Sequence, residues 1–124
     1  EYQPRPIIGV GVCVLKPESI LLVRRKQPPR KGTWSLPGGI QKIGETCKEC
    51  GVREVKEETG LNVAIVSLID VVDSMTYDNC GNLRYHYTLI DYIAKVKSGR
   101  LAQGGDAGAA NWFLQRDLAK RTKK

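Results

Sequence analysis

The stretch that most limits how this chain can fold is Gly39–Leu61, GIQKIGETCKECGVREVKEETGL. Within it Glu54, Glu57 and Glu58 are spaced by three and four positions. On an α-helix those offsets gather all three on one face, within roughly 100° of arc. Thr46 or Glu45 can open such a helix and Gly60 can cap its end, which predicts a helix over about 46–59. Three like charges on one face repel one another, and a helix bears them most readily with a cation among them. Hard divalent cations such as Mg²⁺ prefer oxygen ligands of this kind. Arg53 lies beside the cluster, where a planar guanidinium can orient a carboxylate or meet a phosphate oxygen.

The rest of the chain reads as strands around that helix. Residues 1–6, with two prolines, form an extended lead-in. Ile7–Leu15 and Ile20–Arg25 read as a strand hairpin, with Gly9 and Gly11 on one face where a neighbouring backbone can approach. Pro37-Gly38-Gly39 is expected to form a tight turn, because glycine reaches backbone angles that other residues avoid. On the helix, Lys48, Val52, Val55 and Thr59 share the face away from the carboxylates, and the two valines should pack on the sheet. Leu61–Val72 reads as a strand or a bent strand pair, and 78–82 as a turn cluster. Arg84–Val96 is a long β-branched and aromatic strand. A small-residue loop over 102–110 leads to a short strand, Ala110–Leu114, and a helix begins at Arg116.

At 124 residues, with 41% hydrophobic and 27% charged, the chain suits one soluble domain over 1–124 with a basic tail at 120–124. No apolar run is long enough to span a membrane and the start does not resemble a signal peptide. The chain opens on Glu1 rather than Met, so anything preceding it is outside this reading. Cys47 and Cys50 form a C-x2-C without a second pair or histidine partner at zinc spacing, so the four cysteines read as free thiols of a reducing cytoplasm. The net charge of +7 favours a polyanionic partner: nucleotide, nucleic acid or acidic membrane. The densest cations of the ordered chain, from Arg24 through Lys31, lead into the glutamate stretch and suit a rim that steers phosphates.

The same stretch resembles the Nudix box, G-x5-E-x7-R-E-U-x-E-E-x-G-U, with U a bulky aliphatic residue. Gly39, Glu45, Arg53, Glu54, Val55, Glu57, Glu58, Gly60 and Leu61 match every fixed position with the spacing intact. Trp34–Gly39, WSLPGG, is similar to the family's usual entry to the box. The resemblance implies the Nudix fold: an α/β/α sandwich with a mixed β-sheet and the box as loop–helix–loop. It implies metal-dependent hydrolysis of the diphosphate bond in a nucleoside diphosphate linked to another moiety. Glu54, Glu57 and Glu58 carry over as ligands of Mg²⁺ or Mn²⁺, Arg53 as an orienting residue, Glu45 as a supporting carboxylate and Gly39 as a shaper of the loop. Asp106, six residues before Trp112, is the candidate for the further carboxylate that family members place on a later loop.

Arg24, Arg84 and Tyr77 are the other candidates for contact with substrate, and His86, the single histidine, reads as a strand or substrate-edge residue. The run around HYTLIDYIAKV and the later loop look most like ADP-ribose or nucleotide pyrophosphatases. The proline that some ADP-ribose enzymes carry after the box is replaced in the region of Met75 and Thr76, and the chain ends in a basic tail where members usually have a longer helix. The alternatives are hydrolysis of a nucleoside triphosphate, oxidised ones included, and a non-catalytic module that binds a nucleotide or RNA. A small nucleotide is the expected partner and a homodimer stays open; membrane and nucleic acid fall outside the leading reading.

Overall fold

The computed structural model describes residues 2–26, 31–101 and 110–122. Strand β1, Ile7–Lys16, is the spine. It runs antiparallel to β2, Ser19–Arg24, through Leu15↔Ile20, and parallel to the long β6, Leu83–Ser98, from Ile7↔Tyr87 to Val14↔Ala94. Along its other edge Gly9, Val10 and Gly11 pair with β4, Gly38–Ile40. Strand β5, Asn62–Tyr77, lies antiparallel to β6 at one edge of the sheet. At the other end β2 pairs with both β3, Trp34–Ser35, and β7, Ala110–Leu114. The result is a mixed sheet with the helix α1, Cys47–Thr59, packed on it. A short α2, Gln115–Thr122, follows β7, and its first amide donates to the Glu18 carbonyl in the β1–β2 turn.

Alternation along β1 decides which face receives the helix. Val10, Val12 and Val14 are buried on one side and meet Cys50 and Val55 of α1, with Leu61, Val63, Tyr92 and Ala94 closing the core. Period-2 valines under a helical stripe are the arrangement that a half-buried strand requires. Gly51 lets the helix approach, since a Cβ there would stand 2.9 Å from Val12 Cγ2. Thr59 is fully buried but satisfied, donating to the Val55 carbonyl at 2.7 Å and accepting from Leu61 N at 3.2 Å. Of the helix face expected against the sheet, Val55 and Thr59 are buried and Val52 is half-buried, but Lys48 is exposed. Its ammonium keeps to water while the stripe turns past it.

Two expectations are corrected. Pro37-Gly38-Gly39 is not a tight turn: Gly38 and Gly39 belong to β4, and neither is among the glycines with positive φ. Their use is closeness. A Cβ on Gly38 would collide with the Val10 carbonyl, and one on Gly39 with the Glu54 carboxylate. The second correction is length. The strand expected to end at Val72 continues to Tyr77 because β6 supplies partners all the way, from Asp73↔Thr88 to Tyr77↔Leu83. Register shifts between Ile65 and Ser67 and between Leu68 and Asp70 absorb its irregularities.

Candidate active site

Local chemistry fixes where α1 begins and ends, and so where its glutamates face. Thr46 is the N-cap: its hydroxyl accepts from Glu49 N at 3.0 Å, while the Glu49 carboxylate accepts from Thr46 N at 2.8 Å. This reciprocal pair satisfies two amides that a helix start leaves open. Gly60, at φ 84°, closes the other end by donating to the Lys56 carbonyl at 2.9 Å. The chain before the helix is held too, with Gln41 N donating to the Ile8 carbonyl at 3.1 Å.

Arg53 is the hub of the site. Its Nε and Nη2 donate to the two oxygens of Glu45 at 3.0 and 2.8 Å, a two-pronged grip. Nη1 donates to Glu54 Oε2 at 2.9 Å and to Glu57 at 3.2 and 3.3 Å. Nη2 also reaches the Ile40 carbonyl and the Cys50 sulfur. The Arg53 hydrogen bonds, with one from the Lys42 amide, hold the Glu45 carboxyl down at about 2. The same contacts raise the proton affinity of Arg53 further, so the guanidinium stays charged.

Glu58 behaves in the opposite way. Burial first, and then the charges of Glu54 and Glu57, push its carboxyl up to about 8, although the Gly38 amide donates to it at 3.2 Å and pulls the other way. Cys50 is buried, which together with the Glu45 carboxylate raises its thiol to about 11. It is therefore a packed thiol rather than a nucleophile at neutral pH. The site thus gathers more negative charge than one guanidinium compensates.

Glu45, Arg53, Glu54, Glu57 and Gly39 are brought together as the sequence indicates, and Glu58 joins them through Gly38. Arg24 ends β2 with its guanidinium 5.3 Å from the Trp34 ring centroid. Tyr77 and Arg84 stand at the tip of the β5–β6 ribbon, and no hydrogen bond, ion pair or ring contact joins either to a box residue. Asp106 lies outside the described residues. Three participants lie beyond the fixed positions of the box: the Cys50 sulfur, which helical spacing puts on the side of the carboxylates, the Gly38 amide and the Ile40 carbonyl. Two of these are backbone groups, invisible to side-chain patterns, although Pro-Gly-Gly directly before the box marks where backbone could come close.

All donors of the cluster are carboxylate oxygens, the kind that suits a hard divalent cation. Among the described residues no three acidic, histidine or cysteine side chains already converge as a finished metal site; Glu54 and Glu57 are turned toward Arg53. No helix of the described residues is long and apolar enough to cross a membrane.

The NUDIX domain family matches residues 5–124. An ADP-ribose pyrophosphatase of Methanocaldococcus jannaschii is 41% identical over 93% of this chain and 66% of its own length. A putative 8-oxo-dGTP diphosphatase of Bacillus subtilis is 33% identical over 84% of this chain and 64% of its own. The chain therefore spans slightly under two thirds of the length of these curated relatives. Among solved structures, a MutT NUDIX hydrolase from Burkholderia pseudomallei superposes with a TM-score of 0.77 at 31% identity, covering 89% of this chain and 84% of the other.

Proposed function

The chain belongs to the NUDIX domain family, and from that premise we propose that it hydrolyses the diphosphate bond of a nucleoside diphosphate linked to another moiety, with ADP-ribose as the leading substrate. The observation that carries this reading is the carboxylate cluster ordered by Arg53 on the face of α1. A diphosphate is a poor electrophile because its own charge repels an incoming nucleophile. A protein lowers that barrier mainly by positioning and by countering charge.

Glu54, Glu57 and Glu58 would hold the divalent cation, Mg²⁺ or Mn²⁺, with Asp106 as a further candidate ligand. When bound, such a cation neutralises non-bridging phosphate oxygens and lowers the pKa of water. The remaining work belongs to the chain. Arg53 keeps Glu45, Glu54 and Glu57 in fixed orientations through five bonds to their oxygens. The absence of a Cβ at Gly39 gives Glu54 its place, and the Gly38 amide fixes one oxygen of Glu58. Arg24, at the rim, and Tyr77 are the side chains proposed to meet the substrate away from the bond that breaks. Water adds to one phosphorus, the bridging P–O bond breaks, and ADP-ribose yields AMP and a sugar phosphate. Glu54, Glu58 and Asp106 are the carboxylates available for the water's proton. The four thiols, free in the structure, suit a cytoplasmic setting where small nucleotides are abundant.

A second reading has its own support: the relative named an 8-oxo-dGTP diphosphatase makes an oxidised nucleoside triphosphate the rival substrate. A panel with Mg²⁺ decides between them, scoring AMP from ADP-ribose against nucleoside monophosphate from the triphosphates. The double substitution Glu57→Gln with Glu58→Gln abolishes turnover of whichever substrate leads; cleavage that survives it rules out this metal site.

A further inference from the structure

Two parts of the chain separated by some eighty residues meet at the start of β6. Gln3 lies beside this strand, its side-chain oxygen accepting from His86 N at 2.6 Å. Between the lead-in and the strand is a groove of about 200 Å³, with Arg5, Arg84 and His86 in its walls and none of the box residues. At about 30 Å³ per water it has room for a phosphate-sized anion and part of its hydration.

The Arg84 guanidinium is placed and unspent. Its Cζ lies 5.7 Å from the Tyr2 ring centroid and 5.2 Å from that of Tyr85, distances at which a ring face attracts a cation. These ring contacts hold the guanidinium without using its N–H groups. The buried Nε has no hydrogen-bond partner. The nearby acid is engaged elsewhere: Asp78 accepts from the Tyr2 hydroxyl and from the amides of Cys80 and Asn82. No ion pair joins Arg84 or Arg5 to a carboxylate of the described residues. A buried N–H left unmet is costly, and natural structures keep few of them. Two guanidinium groups with open donors, in a groove free of acidic walls, are what a phosphate needs.

We propose that the groove between the lead-in and β6 is a second anion site, separate from the carboxylate cluster, which binds a phosphate monoester through Arg84 and Arg5. The phosphate has two possible sources: the far end of a long nucleotide seated in the active site, or a separate monophosphate molecule.

The test is metal-free and does not depend on catalysis. Inorganic phosphate, and then AMP, is titrated into the protein while the Arg84 Nε–H signal and the amides of Gln3 and His86 are followed by ¹⁵N NMR. The expected result is a saturable shift at these positions, weakened about tenfold or more in Arg84→Gln and less in Arg84→Lys, which keeps charge but loses the fork. Spectra of both variants elsewhere match the native protein, so a loss of binding is not a loss of fold. A non-saturating response, a response confined to α1, or binding unchanged in Arg84→Gln overturns the proposal. Titration with ADP-ribose 2′-phosphate, which carries a monoester at its far end beyond the diphosphate, separates the two sources. Shifts at Arg53 and Arg84 that saturate together at one equivalent identify the far end of one molecule. Shifts at Arg84 that need a second equivalent identify a separate one.

Discussion

Arg53 and Arg84 are the same side chain in opposite circumstances. Arg53 sits on a helix among five acceptors of its own neighbourhood: Glu45, Glu54, Glu57, the Ile40 carbonyl and the Cys50 sulfur. Arg84 sits at a strand start with its guanidinium over two aromatic rings and a buried Nε that meets nothing. The first has its hydrogen-bonding capacity committed inside the protein, so it serves as a brace for other groups. The second has capacity to spare, so it suits a ligand. What an arginine is for can thus be read from who already holds its donors.

The largest effects should come from the committed one. Arg53→Met keeps much of the stem but frees three carboxylates to repel. Loss of a residue that orients metal-binding side chains typically lowers activity by about 10- to 100-fold, and that is the expected fall in kcat/KM. Arg53→Lys should rescue little, because one ammonium cannot grip Glu45 with two prongs and still reach Glu54 and Glu57. A lysine variant with near-native activity would show that charge alone, not the forked geometry, does the bracing.

Next in size is a contrast between glycines of the two regions. Gly38→Ala would drive its methyl into the Val10 carbonyl, so β4 must separate from β1. Overpacking of that kind is expected to cost about 1–3 kcal/mol or more in thermal or denaturant unfolding. Gly81, in the turn at the ribbon tip, has φ +87° but open space around it. Alanine there meets only the backbone strain of a left-handed conformation, about 1–2 kcal/mol. If Gly81→Ala proves the more damaging, the close approach at β4 is softer than its geometry implies.

The same contrast explains what is legible in the sequence. Helix α1 is readable to within a residue because its signals are local: Thr46, Gly60 and the glutamate spacing act within a few turns of the chain. The carboxylate cluster and Arg53 are readable for the same reason. Pro37-Gly38-Gly39 misleads because glycine has two uses, unusual angles and close approach, and only the partner strand reveals which applies. The last residues of β5 escape because Asp73 and Ser74 carry no strand preference of their own; β6 holds them. Arg84 stands out in the sequence as a candidate phosphate contact. Its setting, however, depends on Tyr2 and Gln3, some eighty positions earlier, and no local pattern records such a meeting.

A smaller effect follows from pH. The Glu45 carboxyl is lowered from 4.5 to about 2 by Arg53 and the Lys42 amide. A depressed carboxyl favours the folded state while it is ionised. Its contribution is therefore complete above about pH 4.5 and disappears as pH falls toward 2. Glu45→Gln should lower Tm at neutral pH, and the gap from the native protein should close through that acid window. A gap that stays constant down to pH 2 would mean that the charge on Glu45 contributes nothing and that its packing does.

The smallest effect is expected at Arg84, and its sign matters more than its size. Methionine in its place keeps the apolar stem against Tyr2 and Tyr85 and removes the buried N–H that no group meets. Deleting an unsatisfied buried donor recovers a desolvation cost, while the cation–ring attraction given up is weak, on the order of 1 kcal/mol at exposed sites. The two nearly cancel, so the Tm of Arg84→Met should lie close to the native value or slightly above it. Arg53→Met, by the same substitution, should lie clearly below. If instead both variants lose stability alike, then Arg84 is as structural as Arg53. Its open donors would then be incidental to a brace between the lead-in and the ribbon rather than the mark of a binding residue.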